Sequence, residues 1–183
     1  MRMDPNQASP ELIEKCARRD EEAFSKLVDI YSGRCYGYFH RLSGNADVSS
    51  ELLSELFLRL VKKIDSFRGG EGSFDHWLFT MASNIFYDHL RKQKRYGKLI
   101  EGRQKLLLEQ QGQKGSDCGE NIDLLGKELA RLDEQTRELL MLRYYGNLSF
   151  REIAEMRKEP VGTVLSKVHR GLAKLRQKME QKP

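Results

Sequence analysis

The sequence predicts an all-α protein: two small helical bundles joined by a flexible linker, the C-terminal bundle containing a helix-turn-helix. Three observations predict it. Apolar residues recur at three- and four-residue spacing through most of the chain, and no period-two alternation runs long enough for a strand. Composition shifts after Arg95 into a stretch rich in Gly, Gln, Lys and Glu that continues to about Gly119. The segment from Leu148 to Arg170 reads as two helices around a tight turn, the second carrying only hydroxyls and positive charge on its outward face. The expected division is a bundle over 10–95, a linker over 96–121 and a second bundle over 122–180.

Each element has a local cause. Pro10 to Arg19 forms a short leading helix with Leu12 and Ile13. Asp20 or Glu21 opens a helix through Ala23, Phe24, Leu27, Val28, Tyr31, Cys35, Tyr38, Phe39 and Leu42, which Ser43-Gly44-Asn45 breaks. The next runs from about Val48 to Ile64, with Leu52, Leu53, Leu56, Phe57, Leu60, Val61 and Ile64 inward. A glycine-rich loop, Phe67 to Phe74, precedes a helix from Ser73 or Phe74 to about Lys94 that carries Trp77, Leu78, Met81, Ala82, Ile85 and Leu90. Within the linker, Leu106-Leu107-Leu108 is the one apolar cluster and a candidate partial helix. The second bundle begins near Ile122. Leu125, Leu129 and Leu132 make one stripe, Asp133 caps the following helix, Leu139, Leu142 and Tyr145 continue it, and Gly146 ends it.

The helix-turn-helix rests on geometry. Ser149 and Glu152 form a capping box ahead of Ile153 and Ala154, the latter small enough to let two helices cross closely. Pro160 suits a first helical turn, where its missing N–H has no partner to lose. From there Val161, Val164, Val168, Leu172 and Leu175 form an apolar stripe, with Thr163, Ser166, Lys167, Arg170 and Lys174 on the opposite side. No acidic residue falls between Glu159 and Glu180, so nothing on that face repels phosphate. This layout fits a helix laid in a DNA major groove. An ordinary amphipathic hairpin with a solvated basic face has the same spacing and stands as the alternative.

Composition bounds the function. The net charge of +5 over 183 residues, with a pI near 9.1, favours polyanionic partners but says nothing about fold. No apolar run approaches the roughly 20 residues of a membrane span, and the first ten residues lack the apolar core of a signal peptide. A cytoplasmic location is expected, without membrane insertion. Cys16, Cys35 and Cys118, with His40, His76, His89 and His169, show no zinc-ligand spacing, so no metal or cofactor is expected. Unpaired cysteines fit a reducing compartment. Cys35, in an aromatic-rich helix, reads as core, with a redox switch as its alternative. No carboxylate cluster, nucleophile–base pair or P-loop points to an enzyme.

Leu132–Tyr144 (LDEQTRELLMLRY), Leu148–Glu155 (LSFREIAE) and Pro160–Arg170 (PVGTVLSKVHR) together resemble region four of bacterial RNA polymerase sigma factors. Glu51–Leu60 (ELLSELFLRL) resembles the polymerase-gripping part of region two, and Phe67–Arg95 is similar to the part that opens and reads the minus-ten promoter element. The chain thus resembles the extracytoplasmic-function (ECF) group of the sigma-70 family. The resemblance implies a non-catalytic initiation subunit that carries core RNA polymerase to promoter DNA. It implies docking of Glu51, Leu53, Ser54, Glu55, Phe57 and Leu58 on the beta-prime clamp helices, with the beta flap as a further contact on core polymerase. Phe67, Arg68, Gly69, Gly70, Glu71, Gly72, Ser73 and Asn84 would handle melted minus-ten DNA, with Arg91, Lys92, Lys94 and Arg95 meeting phosphate. Phe74 and Trp77 read better as core than as stacking surfaces. Ser149, Thr163, Ser166, Lys167, Arg170 and Lys174 would meet minus-thirty-five duplex, Lys167 and Arg170 being the base-edge candidates. An anti-sigma factor is implied as a further partner.

The chain departs from the family pattern at five positions. Lys158 stands where the turn usually has glycine, Glu159 where an apolar residue is usual, and Leu165 where a basic one is frequent. Glu51 and Ser54 replace a frequent Asp and Gln. The competing function is an autonomous helix-turn-helix repressor or activator; it leaves Glu51–Phe57 and the aromatic–glycine loop without a role.

Overall fold

The computed structural model describes residues 7–67, 69, 73–104 and 124–180. Their helices are α1 (Pro10–Ala17), α2 (Glu21–Ser43), α3 (Ala46–Lys63), α4 (Phe74–Gln104), α5 (Leu124–Ala130), α6 (Glu134–Tyr144), α7 (Phe150–Arg157) and α8 (Val161–Glu180), with one 3-10 turn at Ile64–Ser66. Among the described residues there is no strand.

Side-chain caps set the starts. The Ser9 hydroxyl accepts from the Leu12 amide with Pro10 in the first turn. Asp20, Asn45 and Asp133 accept from the amides of Ala23, Val48 and Thr136. Each such cap contributes about 1 kcal/mol. Gly44 closes α2 in the left-handed region at φ 66°.

In the first bundle α2 packs on α1 and α3, and α3 on α4. Leu27, Tyr31, Cys35, Tyr38 and Phe39 of α2 meet Leu52, Leu56 and Leu60 of α3 and Leu78, Phe79 and Ile85 of α4, all 2% exposed or less. Tyr38 sets its ring edge-on to Phe79 at 5.5 Å, a favoured aromatic geometry. Cys35 is wholly buried, as its aromatic surroundings suggest. In the second bundle α5, α6 and α7 pack on α8, burying Leu139, Leu142, Leu148, Ile153, Val164 and Val168. The bend after α6 needs Gly146, where a Cβ would sit 2.4 Å from the Leu142 carbonyl oxygen. The left-handed step there falls on Asn147, at φ 54°.

Three apolar residues read as inward face solvent instead. Val61 and Val161 are each 40% exposed and Leu125 is 37% exposed. Val161 and Leu125 lie in first turns, before their helices reach a neighbour, and on α3 the core is filled by Leu60 and Ile64 on either side of Val61. Helix α4 also continues to Gln104 instead of stopping near Lys94: Arg91 to Arg95 are straight-chain helix formers with no breaker, and the helix carries on through Gly97 and Gly102. The rest of the segment read as linker, including Leu106-Leu107-Leu108 and Cys118, lies outside the described residues.

Candidate nucleic-acid and polymerase interfaces

The turn of the helix-turn-helix is built at Lys158, which takes the left-handed conformation (φ 53°, ψ 40°) while its N–H caps α7 by donating to the Ala154 and Glu155 carbonyls. A non-glycine residue there costs about 1–2 kcal/mol. Pro160 then accepts from the amides of Thr163 and Val164 through its carbonyl. With Val164, Val168 and Leu175 buried, Thr163, Ser166, Arg170 and Lys174 point to solvent on one face of α8.

Lys167 is placed differently. Its side chain is 23% exposed and its Nζ lies 2.8 Å from Glu159 Oε2 and 3.4 Å from Gln135 Oε1. Its charge is therefore spent inside the protein unless Glu159 lets go. Ser149 is exposed, but its side chain serves the capping box: the Glu152 amide donates to Ser149 Oγ at 3.2 Å, and Ser149 N–H donates to Glu152 Oε2 at 2.8 Å. Partial burial pushes the Glu152 carboxyl up, but hydrogen bonds from Ser149 and Ser73 outweigh it and hold the group below the ordinary glutamate range.

On α3, Leu52, Leu56 and Leu60 face the core, while Glu51, Ser54 and Leu58 face out. Leu58 is 63% exposed, the most open large apolar side chain of this helix. Leu53, Glu55 and Phe57 are half-buried. Glu55 pairs with Arg59, and Leu53 and Phe57 pack against the core. The face thus carries acidic and hydroxyl groups beside an open leucine, which suits a partner that supplies both charge pairing and apolar burial.

Phe67, Phe74 and Trp77 form an aromatic triad with ring centroids 5.3–5.6 Å apart. Phe74 is core, whereas Phe67 and Trp77 are half-buried. Arg68, Gly70, Glu71 and Gly72 lie outside the described residues; Gly69 is exposed, in the left-handed region at φ 64°. Ser73 caps α4, its hydroxyl accepting from the His76 amide. Asn84 and the cluster Arg91, Lys92, Lys94 and Arg95 are exposed along α4, with Arg91 paired to Asp88. An open cleft of 490 Å³ beside the loop is lined by Gln7, Tyr31, Ile64, Phe67, Ser73 and Asp75 among others. Buried Asp75 there accepts from Gln7 Nε2 at 3.0 Å and Arg34 Nη1 at 3.1 Å.

Besides Asp75 and Arg34, a second buried charged pair escaped the sequence reading. Glu138 is completely buried, and Arg157 pairs with it at 2.9 Å. A signal existed for the first: Glu138 lies four residues before Leu142, in phase with the apolar stripe. Among the described residues no group of His, Cys, Asp and Glu is arranged to hold a metal, and no helix is long and apolar enough to cross a membrane.

Comparison with known proteins agrees with this layout. Residues 27–96 match the family model for sigma-70 region 2, and residues 122–175 match that for sigma-70 region 4. The first match covers the very segments that a free-standing repressor would leave without a role. The chain is 30% identical over 177 residues to the ECF RNA polymerase sigma factor SigW of Bacillus subtilis, covering 91% of this chain and 94% of that one. It is 29% identical over 168 residues to the ECF RNA polymerase sigma factor RpoE of Cereibacter sphaeroides, covering 88% of each. Its fold is shared with the sigma factor RpoE of Bartonella quintana, solved with the anti-sigma factor NepR (TM-score 0.69, 21% identity, 88% and 99% covered). It is also shared with CnrH, solved with the cytosolic domain of CnrY (TM-score 0.67, 19% identity, 98% and 100% covered). The chain belongs to the ECF group of the sigma-70 family of RNA polymerase sigma factors.

Proposed function

We propose that this sigma factor binds core RNA polymerase through the exposed face of α3, on the beta-prime clamp helices, and through its second bundle, on the beta flap. It performs no catalysis of its own. Residues 10–95 act as the polymerase-binding and minus-ten unit, 122–180 as the minus-thirty-five unit, and 96–121 join them. Arg170, Lys174, Thr163 and Ser166 meet the minus-thirty-five duplex, joined by Lys167 once it leaves Glu159. Asn84, the loop from Phe67 to Ser73 and the basic end of α4 hold the melted minus-ten strand. Capture of unpaired bases favours the open promoter because a ligand shifts an equilibrium only between states it binds unequally. Polymerase and promoter place the protein in the cytoplasm, and an anti-sigma factor covering these surfaces is the expected regulator.

The observation that carries the reading is the pair of separate outward faces. Glu51, Ser54 and Leu58 are exposed on the region 2 match, and Thr163, Ser166, Arg170 and Lys174 on the region 4 match. The test is a pair of variants. Arg170→Ala with Lys174→Ala should weaken promoter-dependent run-off transcription and leave polymerase binding intact. Glu51→Lys with Leu58→Ala, both exposed in the fold, should weaken polymerase binding and leave duplex binding intact. A swap of these two outcomes, or an unchanged polymerase affinity in the second variant, overturns the assignment.

A further inference from the structure

Three of the described residues other than glycine take the left-handed region, and two of them, Asn147 and Lys158, serve the turns of the second bundle. The third is Arg19, at φ 67°. It closes α1: the Arg19 amide donates to the Cys16 carbonyl at 3.0 Å, and the Asp20 amide to the Lys15 carbonyl at 3.2 Å. That pair of bonds is the Schellman ending of a helix, whose left-handed position is ordinarily a glycine. Glycine would make this turn without strain, so the backbone gives no reason for an arginine here.

The side chain gives one. Arg19 donates from Nη1 to the Val61 carbonyl at 2.7 Å and from Nη2 to Asp65 Oδ2 at 2.8 Å. Val61 lies in the last turn of α3, where carbonyls run out of helical donors. Asp65 sits in the 3-10 turn that delivers the chain to Phe67. The two side chains of the ion pair are 53% and 52% exposed. A pair so open to water returns little against the strain of a left-handed arginine. Strain of this kind gathers where geometry matters for function.

The other end of α1 is tied as well. Gln7 Nε2 donates to buried Asp75 at 3.0 Å, and the Ala8 amide to Tyr31 Oη at 3.3 Å. Asp75 belongs to the first turn of α4, two residues after Ser73. Arg19 thus fastens α1 to the stem by which the chain enters the glycine-rich loop, and Gln7 fastens it to the stem by which the chain leaves. Between the two ties α1 packs on α2 and on the 3-10 turn. Its Ile13 and Ala17 line the same open cleft as Phe67 and Ser73. Gln7, α1 and Arg19 all precede the region 2 match, which begins at residue 27.

We infer that α1 is a strut for the minus-ten site and that Arg19 is its positioning residue. Arg19 fixes the 3-10 turn and, through it, the place of Phe67 relative to Phe74 and Trp77 of α4, whose rings it meets at 5.3 and 5.5 Å. The melted strand then meets a loop whose two stems are already spaced for it, and none of that ordering has to be done on binding. The consequence for DNA rests on the minus-ten reading of the loop.

The test is Arg19→Gly in the full chain bound to core RNA polymerase, because glycine keeps the turn and removes only the ties. Binding is measured on a labelled single-stranded oligonucleotide carrying the minus-ten sequence found upstream of this protein's own transcript starts, and separately on minus-thirty-five duplex. Helicity, polymerase affinity and duplex affinity should match the wild type. The single strand should bind about fivefold more weakly, the lower end of what one lost base stack costs. Asp65→Ala should give the same loss, and the double variant no more than either alone, because the two residues act through one contact. If Arg19→Gly loses helicity, Asp65→Ala carries the test. A single strand bound equally by wild type and variant overturns the inference, as do fully additive losses. A fall in polymerase affinity also overturns it, since Arg19 would then belong to the clamp-binding face. A wild-type complex that does not bind the single strand overturns the minus-ten reading itself, and the inference falls with it.

Discussion

Replacing Glu159 by glutamine should tighten duplex binding, although it alters a residue outside the outward face of α8. Glu159 holds Lys167 Nζ at 2.8 Å, with both side chains 23% exposed. Exposed ion pairs contribute about 0.2–1 kcal/mol. The residual exposure of this pair keeps it in that range, so releasing Lys167 should tighten binding by up to about fivefold. Salt dependence gives a second number. One added phosphate contact steepens the slope of log K against log salt by about 0.9. Across a fourfold rise from about 50 to 200 mM, the variant should therefore lose about 3.5-fold more affinity than the wild type. The assay is fluorescence anisotropy of the full chain on a labelled duplex bearing the minus-thirty-five element, titrated at several salt concentrations. Adding Lys167→Ala to Glu159→Gln should remove the gain, since residues in contact couple. An unchanged slope and affinity in Glu159→Gln, or a gain that survives the loss of Lys167, refutes the reasoning.

Three further outcomes follow from the local structure. Lys158→Gly should raise the urea midpoint: relief of the left-handed lysine, about 1–2 kcal/mol, exceeds the added unfolded-state freedom of glycine, about 0.4–1 kcal/mol. A lower midpoint contradicts the turn geometry. Glu152 is depressed below the ordinary glutamate range, so its stabilisation is present above the unfolded value near 4.3 and is lost as pH falls through the lower folded value. The difference in Tm between wild type and Glu152→Gln should therefore be full at neutral pH and close below about pH 4; a constant difference contradicts it. Burial pushes the Cys35 thiol up to about 12 and raises Cys16 as well. In a Cys118→Ser chain, a thiol-specific chromogenic reagent should label neither until denaturant is added, because the thiolate is the nucleophile. Rapid labelling of the native protein would restore the redox-switch reading of Cys35.

The helices were legible because their determinants are local. Asp20, Asp133 and Ser149 open or cap helices where the sequence places them, and the apolar period marked most of the core; Ser9 and Asn45 cap as well, Asn45 starting α3 two residues ahead of the expected Val48. At Lys158 the sequence left the shape of the turn open; the backbone takes the left-handed conformation there despite the side chain. Pairing across helices was not legible. Lys167 satisfies every sequence criterion for a free DNA contact, yet its long side chain reaches back along α8 to Glu159, eight residues earlier, beside Gln135 of α6. Glu138 in the apolar stripe of α6 hinted at a buried charge. Its partners Tyr38, Ser83 and Tyr87 are fixed only by the docking of two bundles, which no periodicity encodes. The exposed Val61, Val161 and Leu125 show the converse, since a helical stripe gives direction but not how far a neighbour extends.

Reconstitution of the full chain with core RNA polymerase, followed by sequencing of transcript 5′ ends from genomic DNA, tests the central claim most directly. Starts should cluster at a fixed distance downstream of a shared pair of elements, and Arg170→Ala with Lys174→Ala should deplete that cluster without dissociating the complex. Starts no more frequent than with core enzyme alone, or starts that share no upstream elements, would contradict the account.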